Sequence, residues 1–157
     1  MEKLGRPGGV IRFLFVYGTL HPKLAPPCVA HAVKHLRRVG NASAPGILYD
    51  LGPYPGAVFN GGATAARIRG GVFRLPKSLS IAAQVLRDLD AYEAIDTSAP
   101  AGALFVRKPI TVALRNGTPL ECWAYEYNRD CDGSRVIHGG RFERAARAWS
   151  AARRRSI

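Results

Sequence analysis

Ile11-Arg12-Phe13-Leu14-Phe15-Val16-Tyr17-Gly18-Thr19-Leu20 is the stretch from which the fold is read. Only Arg12 interrupts an otherwise β-branched, aromatic and aliphatic run, and the run is far too short to cross a bilayer. It predicts a central strand buried on both faces. Gly18 then ends the strand. With no Cβ in the way, the backbone there turns sharply and a ligand can approach it closely. Tyr17–Leu20 therefore has two readings. It is an ordinary strand-to-loop turn, or it is a cradle of backbone N–H groups for a carboxylate or an oxyanion.

A second stretch, Leu89-Asp90-Ala91-Tyr92-Glu93, is expected to meet the first in space. Ala82, Val85, Leu86 and Leu89 recur at i, i+3, i+4 and i+7, the spacing of an amphipathic helix. Ser78 or Ser80 is placed to cap its N-terminus, with Pro76 just outside. On the same wheel Glu93 falls on the apolar stripe, where the periodicity asks for a hydrophobe. Asp90 lies at the stripe's edge, and Arg87 and Asp88 point away. A carboxylate facing a core is costly unless it is paired or used. Burial favours its protonated form and so moves it toward general-base duty. Alternatively the helix ends before Glu93, or Glu93 pairs with an arginine such as Arg107.

The 157 residues suit one domain, 1–157, with its core at about 11–140 and a basic helix over 141–157. The formal net charge is +12, and the segment Arg141–Ile157 contributes +5 of it. That basicity admits a nucleic-acid or acidic partner. Cys28, Cys122 and Cys131 show neither a C-x-x-C nor a zinc-like spacing, and an odd number excludes a full disulfide framework. Reduced thiols and a cytoplasmic location are expected. The apolar run near the N-terminus does not have the form of a secretory signal.

The remaining segments read as short elements. Pro26-Pro27 opens a helix carrying Val29, Ala32, Val33 and Leu36, which Gly40 stops. His31 and His35 sit on its polar face beside Lys34 and Arg38, as a solvated basic surface and not a metal face. Gly46–Tyr49 and Ala57–Phe59 are strands flanking a turn-rich loop, Leu51–Gly56, in which prolines hold Tyr54 in a fixed direction. A fixed aromatic can wall a pocket or pack at a loop tip. Asn60-Gly61-Gly62 is a tight turn. Thr64–Leu75 is a strand with a bulge or a close backbone approach at Gly70-Gly71. Asp96–Gly102 is a small-residue loop. Phe105–Leu114 and Leu120–Tyr127 are strands joined at Asn116-Gly117, the strongest hairpin signal in the chain, and Pro109 puts an edge or a bulge in the first of them. Asn128–Gly140 is a polar loop. Six or seven short strands, two or three helices and no clean βαβ alternation favour an α+β or barrel-like mixed sheet.

Taken in order, these pieces resemble the γ-glutamylcyclotransferase-like superfamily, and within it the γ-glutamylamine cyclotransferases, the plant avirulence-induced proteins and a small bacterial branch. The matching segments are Phe15–Leu20, Gly46–Gly52 with Tyr54–Val58, Ile68–Phe73, Leu89–Glu93, Phe105–Arg107 and Ala124–Asn128. Ala94 stands where that family usually carries Gly. The resemblance implies a small mixed β-barrel with flanking helices. It implies Glu93 as the acid/base residue and Tyr17, Gly18, Thr19 and Leu20 as the substrate cradle, with Tyr54, Arg107 and Tyr125 completing the expected substrate-binding set. The implied reaction is intramolecular: the α-amine of a γ-glutamyl or glutamyl-amine substrate attacks its own side-chain amide and releases 5-oxoproline and a free amine. No metal, cofactor or membrane is expected to take part. Two other functions stay open on the residues: a small-molecule binding module using the same cavity, and a nucleic-acid-associated protein working through the basic tail.

Overall fold

The computed structural model describes residues 9–18, 29–52, 54–60, 65–94 and 104–141. Strand β1 is Phe13–Val16, and all four of its residues are buried. Phe13 and Phe15 enter one apolar cluster, and Leu14 and Val16 enter another. The run is therefore buried on both faces, as its lack of alternation requires. The other strands are β2 (Arg37–Asp50), β3 (Pro55–Phe59), β4 (Arg67–Arg74), β5 (Phe105–Leu114), β6 (Pro119–Tyr127) and β7 (Arg135–Val136), and the helices are α1 (Ala30–Val33) and α2 (Leu79–Ala94).

Strands β2, β4, β1, β6 and β5 are hydrogen-bonded in that order, and β5 returns to β2 at Ala42↔Leu114 and Ser43↔Ala113. The result is a closed five-stranded barrel. It is mixed because β1 runs parallel to β6 while the other ladders are antiparallel. Closure removes the open edges that a five-stranded sheet would otherwise present. Strands β3 and β7 hang on β2 outside the ring. One cluster, around Phe15, Leu48, Ile68, Val72, Val112 and Leu120, draws on the barrel strands together with Ala57 of β3. The second, around Leu14, Phe73, Val85, Leu89 and Phe105, joins the barrel to α1 and α2. This is the α+β barrel with flanking helices that the sequence implied. No helix among the described residues is long and apolar enough to cross a membrane.

Several expectations are corrected in detail. Helix α1 ends at Val33, not near Gly40. Arg37 to Gly40 instead begin β2, pairing with Arg74, Phe73 and Val72 of β4. The ladder overrides local helix propensity there, and Gly40 marks a register shift, not a helix stop. Gly70 and Gly71 pair in regular register, so the bulge lies on the partner strand. The close approach expected at Gly70 is present: a Cβ there would overlap the Val16 carbonyl oxygen. The hairpin loop is Arg115-Asn116-Gly117, with Leu114 N–H donating to Thr118 C=O at 2.9 Å and Gly117 at φ +88°. It is the three-residue form closed by a left-handed glycine. Within the polar loop 128–140, Arg135–Val136 forms a short strand against Asp50 and Tyr49. Pro109 pairs with Trp123 on the β6 side, in the part of β5 beyond its two pairings with β2. The start of the first helix at Pro26-Pro27, Cys28, the Gly61-Gly62 turn, the loop 96–102 and the helix expected after Arg141 lie outside the described residues.

Candidate active site

Helix α2 supplies the acidic groups. Ser78 Oγ accepts the Ile81 N–H at 3.4 Å, fixing where the helix begins. Ala82, Val85 and Leu89 face the core, and the helix continues through Ala94. Asp90 and Glu93 thus lie one turn apart at its C-terminal end, both half-buried. Away from the core, Arg87 donates to Gln84 Oε1, and Asp88 accepts from Gln84 and lies 3.5 Å from His31 Nε2. Among the described residues no cluster of His, Cys, Asp and Glu is suited to a metal ion.

Asp90 is the hub of the site. Arg107 of β5 grips it in a fork, Nε to Oδ1 at 2.9 Å and an Nη to Oδ2 at 3.1 Å. Tyr125 of β6 donates its hydroxyl to Oδ1 at 2.6 Å. The Arg107 guanidinium also stacks over the Trp123 ring, 4.3 Å from its centroid. Bidentate pairing combined with stacking holds a guanidinium in one place. Two barrel strands are thereby tied to the last turn of α2, the turn that carries Glu93.

Tyr17 reaches the same place from the end of β1. Its hydroxyl donates to the Tyr125 backbone carbonyl. Burial raises the Tyr17 phenol well above its ordinary range, and the negative charge of Glu93 raises it further. The Tyr125 phenol is also raised, first by burial, then by its hydrogen bond to Asp90 and the charges of Asp90 and Glu93, against the opposing charge of Arg107. The Glu93 carboxylate therefore stands within electrostatic reach of both phenols. Both stay protonated at neutral pH and act as hydrogen-bond donors, not as bases.

Gly18 rests against Pro55, close enough that a Cβ would come within 3.2 Å of the proline ring. Next to Pro55, the Tyr54 ring packs edge-on against Phe105, with centroids 5.8 Å apart. Tyr17 makes a similar edge contact with Phe59, at 5.9 Å.

The structure thus brings Arg107 and Tyr125 onto Asp90, one helical turn from Glu93, with Tyr17 on the Tyr125 carbonyl and Gly18 on Pro55 beside Tyr54. Arg107, one of the expected substrate contacts, is engaged with Asp90. Thr19 and Leu20 lie outside the described residues. Sequence reasoning left Asp90 at the edge of the stripe and gave it no part. Its signal was an acid one turn before Glu93, in a chain where arginine and tyrosine recur on the late strands.

Comparison with known proteins agrees with the fold. The sequence model of the family described as "Gamma-glutamyl cyclotransferase, AIG2-like" matches residues 14–144. A search of curated protein sequences returned no match. Similar solved structures include an AIG2-like protein from Mus musculus, at 17% identity and a TM-score of 0.61, with 86% of this chain and 90% of that one covered. YtfP from Escherichia coli is 28% identical with a TM-score of 0.56, covering 84% of this chain and 96% of that one. YkqA from Bacillus subtilis is 19% identical with a TM-score of 0.57, over 85% of this chain, which spans only 40% of YkqA's length. The family match takes in all of β1 but Phe13, the other barrel strands and helix α2, and the chain belongs to the gamma-glutamyl cyclotransferase, AIG2-like family.

Proposed function

We propose that this protein cyclises a small γ-glutamyl or glutamyl-amine substrate to 5-oxoproline and a free amine, with Glu93 as the acid/base residue. The observation that carries the reading is the half-buried Glu93, on the helix turn tied down through Asp90 and within electrostatic reach of Tyr17 and Tyr125. The substrate's α-ammonium must lose a proton before its nitrogen can attack, and Glu93 accepts it. The nitrogen then bonds to the side-chain amide carbon. The amide C–N bond breaks, and Glu93 returns the proton to the departing amine. Between these steps the tetrahedral oxyanion is held by backbone N–H groups of Tyr17–Leu20, where the chain leaves the buried strand. Ring closure is an orientation problem. The ring contacts Tyr17–Phe59 and Tyr54–Phe105 hold two aromatics of the expected substrate-binding set in fixed directions for it.

The test is 5-oxoproline release by the purified protein from a panel of γ-glutamyl amino acids and γ- and ε-linked glutamyl amines. Release from at least one of them is expected. If several of the panel stabilise the fold thermally and none is turned over, the cavity belongs to a binding module and the catalytic reading fails.

A further inference from the structure

A second concave site lies on the outer face of the barrel, a groove of about 490 Å³. It shares no lining residue with the cluster around Asp90 and Glu93. Its origin is legible in the strand alternation. Ile68 and Val72 of β4 and Val112 and Leu114 of β5 pack with the barrel core. Arg67 and Arg69, and Ala113 with Arg115 beyond it, therefore project outward. Ser43 of β2 pairs with both Arg69 and Ala113, so a row of small side chains forms the floor between basic walls.

Arg67 is anchored there, donating from Nε to Ser43 Oγ at 2.8 Å and from an Nη to the Ser43 carbonyl at 3.0 Å. Arg141 completes the wall. The preceding residue is pinned to β4 by the bond from Arg69 N–H to Gly140 C=O at 2.7 Å. Position 140 requires glycine twice over: φ is +66°, and a Cβ would overlap the Arg67 carbonyl oxygen.

Four arginines thus line one groove, and among its described lining residues none carries a carboxylate or an aromatic ring. Guanidinium groups remain charged at any physiological pH and match phosphate oxygens in a fork. One carboxylate or one phosphate would engage only part of such a wall. With no ring among the described lining residues to stack a base, recognition here rests on the phosphates. The volume is that of a small-molecule site. We infer that this groove binds a small molecule carrying two or more phosphate groups, independently of the chemistry at Glu93.

The experiment is calorimetric titration of the full chain with sodium tripolyphosphate, repeated on Arg69→Gln/Arg115→Gln and on Arg115→Glu. Both arginines are exposed, so the variants should match wild type in circular dichroism and in melting temperature without ligand. The expected result is one saturable site, weakened about tenfold or more in the double variant and further by the charge reversal, with 5-oxoproline release unchanged. Absence of binding, or equal binding in all three proteins, would overturn the proposal. So would a single-stranded oligonucleotide that displaces tripolyphosphate from the same arginines with affinity rising with strand length, because the groove would then be part of a nucleic-acid track.

Discussion

Replacing Asp90 with Asn removes the charge that holds Arg107 and Tyr125 while keeping the side chain's size. The loss can be worked from the geometry. Tyr125 gives one short charge-assisted hydrogen bond and Arg107 gives two. A hydrogen bond to a charged group contributes about 1.5–3 kcal/mol when fully buried. Here the Arg107 and Asp90 side chains are 25% and 40% exposed, so solvent screens the ion pair toward the surface range of about 0.2–1 kcal/mol. Adding about 1 kcal/mol for the Tyr125 bond gives a loss of about 1.2–2 kcal/mol. For a chain of this size that is a fall in Tm of about 2–8 °C. Urea denaturation of wild type, Asp90→Asn, Arg107→Gln and the double variant would measure it, with a coupling between the two sites of about 1 kcal/mol. A single-variant loss below about 0.3 kcal/mol, or no coupling, would refute the view that this fork ties α2 to the barrel.

Further expectations concern packing and ionisation. Gly70→Ala forces a methyl group onto the Val16 carbonyl; barrel closure should weaken by about 3 kcal/mol or more, read by urea unfolding or by loss of folded protein. Leu89→Ala, at a position with 0% exposure, should cost about 2–5 kcal/mol in the same assay. Alkaline unfolding follows from Tyr17 and Tyr125, whose phenols are raised in the fold. Their contribution is complete below the unfolded value of about 10 and is lost as pH climbs above it, by up to about 1.4 kcal/mol per pH unit for each group, so Tyr125→Phe should flatten the high-pH limb of the stability curve. Burial pushes the Cys122 thiol up to about 12. A thiol-reactive dye followed by peptide mapping should therefore leave Cys122 unlabelled until denaturant is added.

What could be read in the sequence was whatever local pattern decides. The unbroken apolar run gave β1, the i, i+3, i+4, i+7 stripe gave α2 out to Glu93, and Asn116-Gly117 gave the hairpin. What could not be read was set by partners distant in the chain. Arg37–Gly40 have no local reason to leave a helix and do so because β4 offers a ladder. Strand β2 pairs with four other strands, none specified by its own pattern. That Arg107 would meet Asp90 depended on the register of β5 against α2, which no periodicity encodes. The arginine groove was hidden for the same reason: Arg67, Arg69, Arg115 and Arg141 come together only once the barrel closes.

The central claim is that Glu93 moves the proton during ring closure. It is tested most directly by comparing 5-oxoproline release from wild type and Glu93→Gln on the best substrate of the panel, with folding matched by circular dichroism and urea unfolding. Glutamine keeps the shape and cannot take the proton, so turnover should drop about 10²–10⁴-fold with substrate binding retained. A folded Glu93→Gln protein that releases 5-oxoproline at the wild-type rate would contradict the claim.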